Sequence, residues 1–188
     1  MQNAALEGGF TQAPQQSAIA FRAALNAMAR PGRIETLSGA TAPMLSTAAA
    51  TLLLTLCDPD TPIYLAGRFD SADLKDWLRF HTGAPIVGPE HSMFAVGDWA
   101  SLNPLDRFPI GVPEYPDRST TLIVECDALR DTGARLTGPG IEVQHHLSLP
   151  EVDAFQRNAQ LFPLGLDFYF TADAQLAALP RTTKVEAS

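Results

Sequence analysis

The order of apolar and polar positions along the chain predicts five helices. In the first, Phe21, Leu25 and Met28 stand at i, i+4 and i+7 and so form one apolar stripe. The second is apolar on nearly all of its faces, which predicts that it is buried on both sides. Proline marks several helix ends, because it lacks the N–H that a helix interior needs. The predicted helices cover residues 15–29, 44–56, 72–81, 150–161 and 172–179.

Shorter apolar runs between these helices predict strands. The clearest run, residues 120–126, is almost continuously apolar and is expected at the centre of a sheet. Residues 141–149 alternate between apolar and polar positions, as in a strand with one buried face. Residues 103–117 are rich in proline without a sustained period, which predicts a long loop. Because strands and helices are interspersed, the predicted fold class is α/β with a mixed sheet. Further strands are predicted over residues 63–66, 85–87, 93–96 and 166–171.

The composition is that of a folded protein with few charges. The 188 residues are 46% hydrophobic and 18% charged, and the net charge is −8. A chain of this length most simply forms one domain, here residues 1–188. The acidic balance disfavours nucleic acid as a partner, because phosphate is repelled at long range. The most apolar run, residues 48–57, is far shorter than the roughly 20 residues that cross a bilayer, so no membrane partner is expected.

Cysteine usage and the first residues bear on the compartment. The first basic residue is Arg22, so the start of the chain lacks the positively charged region of a signal peptide. Cys57 and Cys126 are isolated, and no second histidine or cysteine stands at metal-ligand spacing from either. We therefore expect a cytoplasmic protein with two reduced thiols and no metal site.

The common catalytic motifs are missing from the sequence. It contains no phosphate-binding GxxxxGK[ST] loop, no GxGxxG, no GxSxG and no HExxH. A Schiff base to pyridoxal phosphate needs a desolvated lysine. Lys75 is expected on the polar side of an amphipathic helix, and Lys184 stands near the end of the chain. No bound cofactor is therefore expected, pyridoxal phosphate included.

Two arginine and hydroxyl clusters are candidate anion sites. Arg118 with Ser119 precedes the central strand, and Arg181 with Thr182 lies near the end of the chain. A planar guanidinium fork with neighbouring hydroxyls suits a phosphate, a phosphonate or a carboxylate. Purely structural alternatives stay open: a turn in which Asp117 pairs with a solvated Arg118, and a frayed terminus around Arg181.

His81 is the third candidate. An imidazole that titrates near pH 6.5 can exchange protons or bind an anion. A histidine at the end of a helix is explained equally by the helix dipole, which favours positive charge there. The three candidates form one site only if the fold brings Arg118, Arg181 and His81 together, and the sequence alone does not show this.

Eight stretches of the chain resemble, in order, the PhnH family, the H subunit of the bacterial carbon–phosphorus lyase system that degrades organophosphonates. They include AFRAALNAMARPG, PEYPDRSTTLIV, NAQLFPLGLDFYF and LPRTTKVE. Each stretch is weak by itself, but together they span almost the whole chain. The eight stretches are residues 8–10, 20–32, 52–65, 77–85, 113–124, 136–141, 158–170 and 179–186.

The resemblance implies a three-layer α/β/α sandwich with a mixed central sheet, locally similar to pyridoxal-phosphate-dependent transferases but without the cofactor. It implies a homodimer that assembles with the G, I and J subunits. In that assembly the subunit would support formation of ribose 1-methylphosphonate 5-triphosphate from ATP and methylphosphonate, before the carbon–phosphorus bond is cleaved. The resemblance assigns no catalytic residue to this subunit, and it implies a subunit that acts within the complex and not by itself.

A phosphonate or nucleotide ligand is the matching expectation for the candidate residues Arg118, Ser119, Arg181, Thr182 and His81. Two other functions stay open. One is a purely structural scaffold, with the arginines facing carboxylates of partner subunits. The other is a free-standing enzyme that acts on a phosphorylated metabolite.

Overall fold

A six-stranded mixed sheet forms the centre of the protein, which a computed structural model describes over residues 6–188. In chain order the strands are β1 (Glu35–Thr36), β2 (Ile63–Leu65), β3 (Phe94–Asp98), β4 (Ile110–Val112), β5 (Tyr115–Ser119), β6 (Thr121–Glu125), β7 (Ala134–Thr137), β8 (His145–Leu147), β9 (Asp167–Ala172), β10 (Gln175–Leu179) and β11 (Lys184–Glu186). The helices are α1 (Ala13–Ala29), α2 (Thr47–Leu56), α3 (Ala72–His81), α4 (Trp99–Leu102) and α5 (Val152–Ala159).

The central sheet has the spatial order β1-β10-β9-β6-β3-β2. Strands β2, β3, β6 and β9 run parallel, whereas β10 and β1 are antiparallel additions at one edge. Strand β6 lies between β3 and β9, and its side chains are buried on both faces: Ile123 on one, Leu122 and Val124 on the other. The predicted α/β class with a mixed sheet is confirmed, as is the central place of residues 120–126.

Three helices cover the first face of the sheet. The side chains of α2 from Ala48 to Leu53 are buried, as its apolar sequence predicts, and Ser46 caps the helix by accepting from the N–H of Ala49. Helix α3 packs Trp77 and its neighbours into the same core. Gly83 directly follows the C-terminal cap of α3 with φ of +71°, a conformation that glycine adopts without strain.

Helix α1 packs through its smallest side chains. Its buried residues are Ala20, Ala24 and Ala27. Of the predicted apolar stripe, Phe21 and Leu25 are 51% and 56% exposed, whereas Met28 is partly buried and packs against the core. The helix is where the pattern places it, but the first two residues of the stripe face outward. Small residues on the inner face let the backbone of α1 approach the core closely, whereas bulky ones would hold it away.

The second face is covered by α4, α5 and a small antiparallel sheet of β11, β7 and β8. Its core centres on an aromatic cluster in which Phe155 of α5 packs edge-on against Phe168 and Phe170 of β9. The third layer is therefore part helix and part sheet, and the α/β/α description implied by the resemblance is too simple on this side.

The predicted helix over residues 172–179 is wrong. Residues 175–179 form strand β10, which returns antiparallel to β9 through a two-residue turn at Asp173 and Ala174. Asp173 adopts φ of +49°, a turn conformation that aspartate tolerates. The sequence QLAAL favours a helix by intrinsic propensity. Burial of Leu176–Leu179 in the sheet overrides that preference.

Three other segments differ from their predictions. The predicted loop over residues 103–117 contains a 3₁₀ turn, Leu105–Arg107, and the hairpin formed by β4 and β5. The predicted strand over residues 141–149 is reduced to β8. Residues 85–87 contribute a single bridge between Ile63 and Ile86.

Among residues 6–188, no helix has the length and apolar character that crossing a membrane requires.

Two aromatic residues on α3 give a matched test of this packing. Trp77 is fully buried, whereas Phe80 is 59% exposed. Trp77→Ala is expected to lower the free energy of unfolding by about 3–5 kcal/mol, because it removes buried apolar contacts and leaves a cavity. Phe80→Ala is expected to change it by about 0.5 kcal/mol or less. Urea denaturation of both variants measures the difference, and equal losses would contradict the assigned orientation of α3.

Candidate functional site

Arg181 lies at the centre of a polar cluster beside the first residue of β9. Its side chain is 10% exposed, and its guanidinium pairs with both side-chain oxygens of Asp167, with Nη2–Oδ2 at 2.5 Å and Nε–Oδ1 at 3.2 Å. Nη1 donates to the carbonyl of Pro116 at 2.7 Å, and Nη2 also donates to the Ser119 hydroxyl. Arg181 and Ser119, two of the predicted site residues, are therefore in direct contact.

The donors of Arg181 are all used inside the protein. The bidentate pair with Asp167 is the arrangement that a guanidinium also forms with a bound carboxylate or phosphate. Here it joins the β4–β5 hairpin, through Pro116 and Ser119, to the central sheet. We call this cluster the Arg181 clamp. Its binding to an external anion stays a prediction.

The end of the chain is ordered around this clamp. Thr182 is half-buried and Thr183 is buried, and β11 then pairs with β7 in the small sheet. The alternative of a frayed terminus around Arg181 is therefore wrong. The pairing of β11 with β7 and the ion pair between Arg181 and Asp167 hold this segment in place, although its polar composition is typical of a disordered terminus.

Arg118 lies on the exposed side of the β4–β5 hairpin. Its guanidinium stacks over the ring of Tyr115 at 4.1 Å. The structural alternative placed Arg118 in a turn paired with Asp117, but the residue lies in strand β5 and contacts an aromatic ring. Because the guanidinium is exposed, it is open to an anion or to an acidic surface of a partner.

His81 lies apart from the two arginines. It ends α3, its Nε2 is 3.2 Å from the carbonyl oxygen of Glu7, and its ring packs against Trp77 and Phe80. Gly9 lies so close to the imidazole that a side-chain carbon there would be 2.7 Å from it. His81 thus supports residues 7–9 beside a cavity of about 410 Å³. Within residues 6–188 it makes no hydrogen bond or ring contact with the Arg181 clamp or with Arg118, so the structure does not bring the three candidates together.

A second polar region, absent from the sequence predictions, lies at the carboxyl ends of the parallel strands. It is an open cavity of about 620 Å³, which we call the carboxyl-end cavity. Its chemistry comes from residues that end β3 and β6 or lie in the connections that follow β2, β3 and β6. The relevant lining residues are Arg68, Asp98, Trp99, Glu125, Cys126 and Arg130. A charged residue that ends an apolar strand, as Glu125 does, is the sequence signal that indicates this region.

Glu125 is the best-held carboxylate of the cavity. It accepts from the backbone N–H of Ser46 at 2.7 Å and from the hydroxyl of Thr171 at 3.1 Å. Burial raises the pKa of its carboxyl above 4.5, while the hydrogen bonds from Ser46 and Thr171 and the charge of Arg68 act in the opposite direction. Within residues 6–188, no group of three or more histidine, cysteine, aspartate and glutamate side chains is arranged to hold a metal ion.

Comparison with known proteins decides the family. Residues 8–186 match the family model described as "Bacterial phosphonate metabolism protein (PhnH)". The chain belongs to the PhnH family. The PhnH match includes both the Arg181 clamp and the carboxyl-end cavity, and it confirms the resemblance seen in the sequence.

Two curated relatives support the PhnH assignment. One is the "Alpha-D-ribose 1-methylphosphonate 5-triphosphate synthase subunit PhnH" of Rhizobium meliloti (strain 1021), 38% identical over 95% of this chain and 94% of the relative. The other is the "Putative C-P lyase subunit protein HtxG" of Stutzerimonas stutzeri, 29% identical over 93% of this chain and 87% of the relative. Both matches run along nearly the full PhnH domain.

Arg181 and Arg118 provide a test of the clamp. Arg181→Ala is expected to lower the free energy of unfolding by about 3 kcal/mol, because it leaves the partly buried Asp167 carboxylate without its partner. Arg118→Ala removes only an exposed stacking contact and is expected to cost about 1 kcal/mol or less. Urea denaturation at neutral pH measures both. Similar small losses in the two variants would show that the clamp does not stabilise the fold.

The pH dependence of stability tests Glu125. A carboxyl whose pKa is raised in the folded state binds its proton more tightly there, so its contribution to stability is present below the unfolded pKa and is lost as pH rises through the folded pKa. The free energy of unfolding of the natural protein relative to Glu125→Gln is therefore expected to fall as pH rises above 4.5. Urea denaturation from about pH 4 to about pH 7 measures this.

Glu142→Gln, at an exposed position, is the matched control for removing one negative charge. A difference between the natural protein and Glu125→Gln that stays constant across this pH range, or that grows with pH, would contradict the raised pKa of Glu125.

Proposed function

We propose that this chain is a subunit of a carbon–phosphorus lyase assembly that supports synthesis of ribose 1-methylphosphonate 5-triphosphate from ATP and methylphosphonate. The observation that carries the proposal is the 38% identity, over 95% of the chain, to a relative named as the PhnH subunit of that synthase. In this reaction a methylphosphonate oxygen bonds to C1 of the ribose while the bond from C1 to adenine breaks, and adenine leaves. The triphosphate stays on the 5′ oxygen.

The geometry supports a subunit that works with partners over a free-standing enzyme. The guanidinium of Arg181 already holds the carboxylate of Asp167, and His81 lies in a separate region. The residues predicted to bind an anion thus do not all assemble around one site. A purely structural scaffold is the second candidate. Arg181 does not support it, because its guanidinium is bound to Asp167, Pro116 and Ser119 and does not face a partner. The exposed Arg118 is the arginine that is open to a partner carboxylate.

We also propose that the outer face of α1 is covered by a second copy of this chain. Phe21 and Leu25 are about half exposed on this face, and Pro14 and Ala18 continue the same exposed apolar stripe. Within the stripe lies a single charged residue, Arg22. Exposed apolar stripes of this kind are typical of interfaces, whose buried centres are depleted of charge.

The other expectations are part of the same proposal. The partners are the G, I and J subunits, and the compartment is the cytoplasm, where Cys57 and Cys126 stay reduced. The fold is a cofactor-free relative of the pyridoxal-phosphate-dependent transferases. The surroundings of two lysines support the proposal that no Schiff base to pyridoxal phosphate forms. Lys75 forms an ion pair with Asp70 at 2.5 Å, and Lys184 is exposed on the edge of the small sheet.

Co-expression tests the proposed assembly. The chain, tagged at one end, is produced with the G, I and J subunits of its own organism, and the affinity-purified material is analysed by mass. A single assembly that contains all four proteins is expected. A chain that purifies alone would contradict the proposal. Turnover by the isolated chain would instead establish the free-standing enzyme.

The outer face of α1 has its own test. Replacing both Phe21 and Leu25 with Glu is expected to weaken self-association at least about a hundredfold, because each loses roughly 1.5–3 kcal/mol of apolar burial. Light scattering coupled to gel filtration measures the shift from dimer to monomer. Val143→Glu, at a position 78% exposed outside α1, is the control. A double variant that stays dimeric with the native circular dichroism spectrum would place the interface elsewhere.

A further inference from the structure

The carboxyl-end cavity exists because consecutive connections leave the sheet on opposite sides. After β2 the chain enters α3, whose Leu74 and Trp77 belong to the core on the first face. After β3 it enters α4, whose Leu102 belongs to the core on the second face. Where neighbouring parallel strands send their connections to opposite faces, a crevice opens beyond their carboxyl ends, and open α/β sheets bind ligands there.

The polar side chains of the carboxyl-end cavity differ in how many hydrogen bonds and ion pairs they make within the protein. Glu125 accepts from Ser46 and Thr171, and Asp98 accepts from the N–H of Ser101 at 2.9 Å. Arg68 and Arg130 take part in none of the ion pairs found within residues 6–188.

The guanidiniums are thus the open groups of the cavity, whereas two of its carboxylates are already fixed in position by internal donors. A third carboxylate, Asp127, is exposed at the cavity, where water and salt weaken its charge.

We propose that the carboxyl-end cavity binds a phosphorylated ribose, with Arg68 and Arg130 on its phosphate or phosphonate oxygens and Asp98 and Glu125 accepting from its hydroxyls. A guanidinium fork matches phosphate oxygens, and carboxylates held by backbone donors are suited to receive sugar hydroxyls. The half-buried ring of Trp99 gives the cavity an aromatic wall. This assignment rests on the proposed function and names the reactant or product that the subunit would hold.

The size of the cavity agrees with such a ligand. Its volume of about 620 Å³ lies within the range of roughly 300–1,000 Å³ that small-molecule sites occupy. The cavity is larger than the one of about 390 Å³ beside α5, which is lined mainly by apolar side chains and holds one arginine, Arg157. Two open guanidiniums favour a ligand that carries anionic groups, as a ribose with a phosphate or phosphonate group does.

Calorimetry on the isolated full-length chain tests the proposal. Ribose 5-phosphate, ATP and methylphosphonate are titrated separately, so that the arms distinguish a sugar phosphate, a nucleotide and the phosphonate alone. Binding of ribose 5-phosphate or ATP is expected, and Arg68→Gln and Arg130→Gln should each weaken it roughly tenfold or more through loss of a charged hydrogen-bonding pair. Arg79→Gln, on the exposed side of α3, is the control and should bind as the natural chain does.

Cys126 provides a second readout that does not depend on a variant. It lines the cavity, whereas Cys57 is 8% exposed and serves as an internal control. Burial and the neighbouring charges of Glu125 and Asp127 raise the pKa of Cys126 to about 11, so alkylation has to be followed at alkaline pH. A bound phosphorylated ribose is expected to slow alkylation of Cys126 several-fold, and methylphosphonate alone should not.

The outcomes separate this inference from the proposed function. No binding of ribose 5-phosphate or ATP, or binding that Arg68→Gln and Arg130→Gln leave unchanged, would overturn the inference. Co-purification with the G, I and J subunits would still stand in that case. Arginine-dependent binding by a chain that never joins the assembly would support the site and contradict the proposed function.

Discussion

Burial of the central sheet on both faces is the constraint from which the rest of the structure follows. Strand β6 places Ile123 in one core and Leu122 and Val124 in the other, so neither face can be left to water. Three helices satisfy this requirement on the first face. On the second, two helices and a small sheet do so together. Polar chemistry is thereby excluded from the faces and concentrated at the two ends of the strands.

The two ends use the same residue type in opposite ways. At the start of β9, Arg181 meets Asp167 and becomes part of the framework. At the carboxyl ends of β2 and β6, the carboxylate of Glu125 is held by backbone and hydroxyl donors, and Arg68 faces a cavity. The neighbours of each guanidinium, more than its own chemistry, decide whether it is bound within the fold or stays open to an adjacent cavity.

The sequence predicted the elements whose local pattern and tertiary surroundings agree. Helix α3 begins and ends where its pattern indicates, and β6 is as central as its apolar run implies. The prediction failed at β10. This alanine-rich and leucine-rich segment favours a helix by its intrinsic propensity, but in the folded protein it pairs with β9 as a strand. The outward turn of the Phe21 and Leu25 stripe could not be predicted either, since periodicity shows that residues share a face and not which way that face points. Contacts such as Arg181 with Ser119, 62 residues apart, depend on the fold as a whole.

The alanine face of α1 links the interior of the protein to its exterior. The buried alanines of α1 pack in the same core as those of α2, so the two helices lie close together. These residues are Ala20, Ala24 and Ala27 of α1 and Ala48, Ala49 and Ala50 of α2. A larger side chain in that contact would force the backbones of α1 and α2 apart, and Phe21 and Leu25 would shift with α1. Substitutions hidden in the core can therefore alter what the outer surface presents, even at positions that never reach that surface.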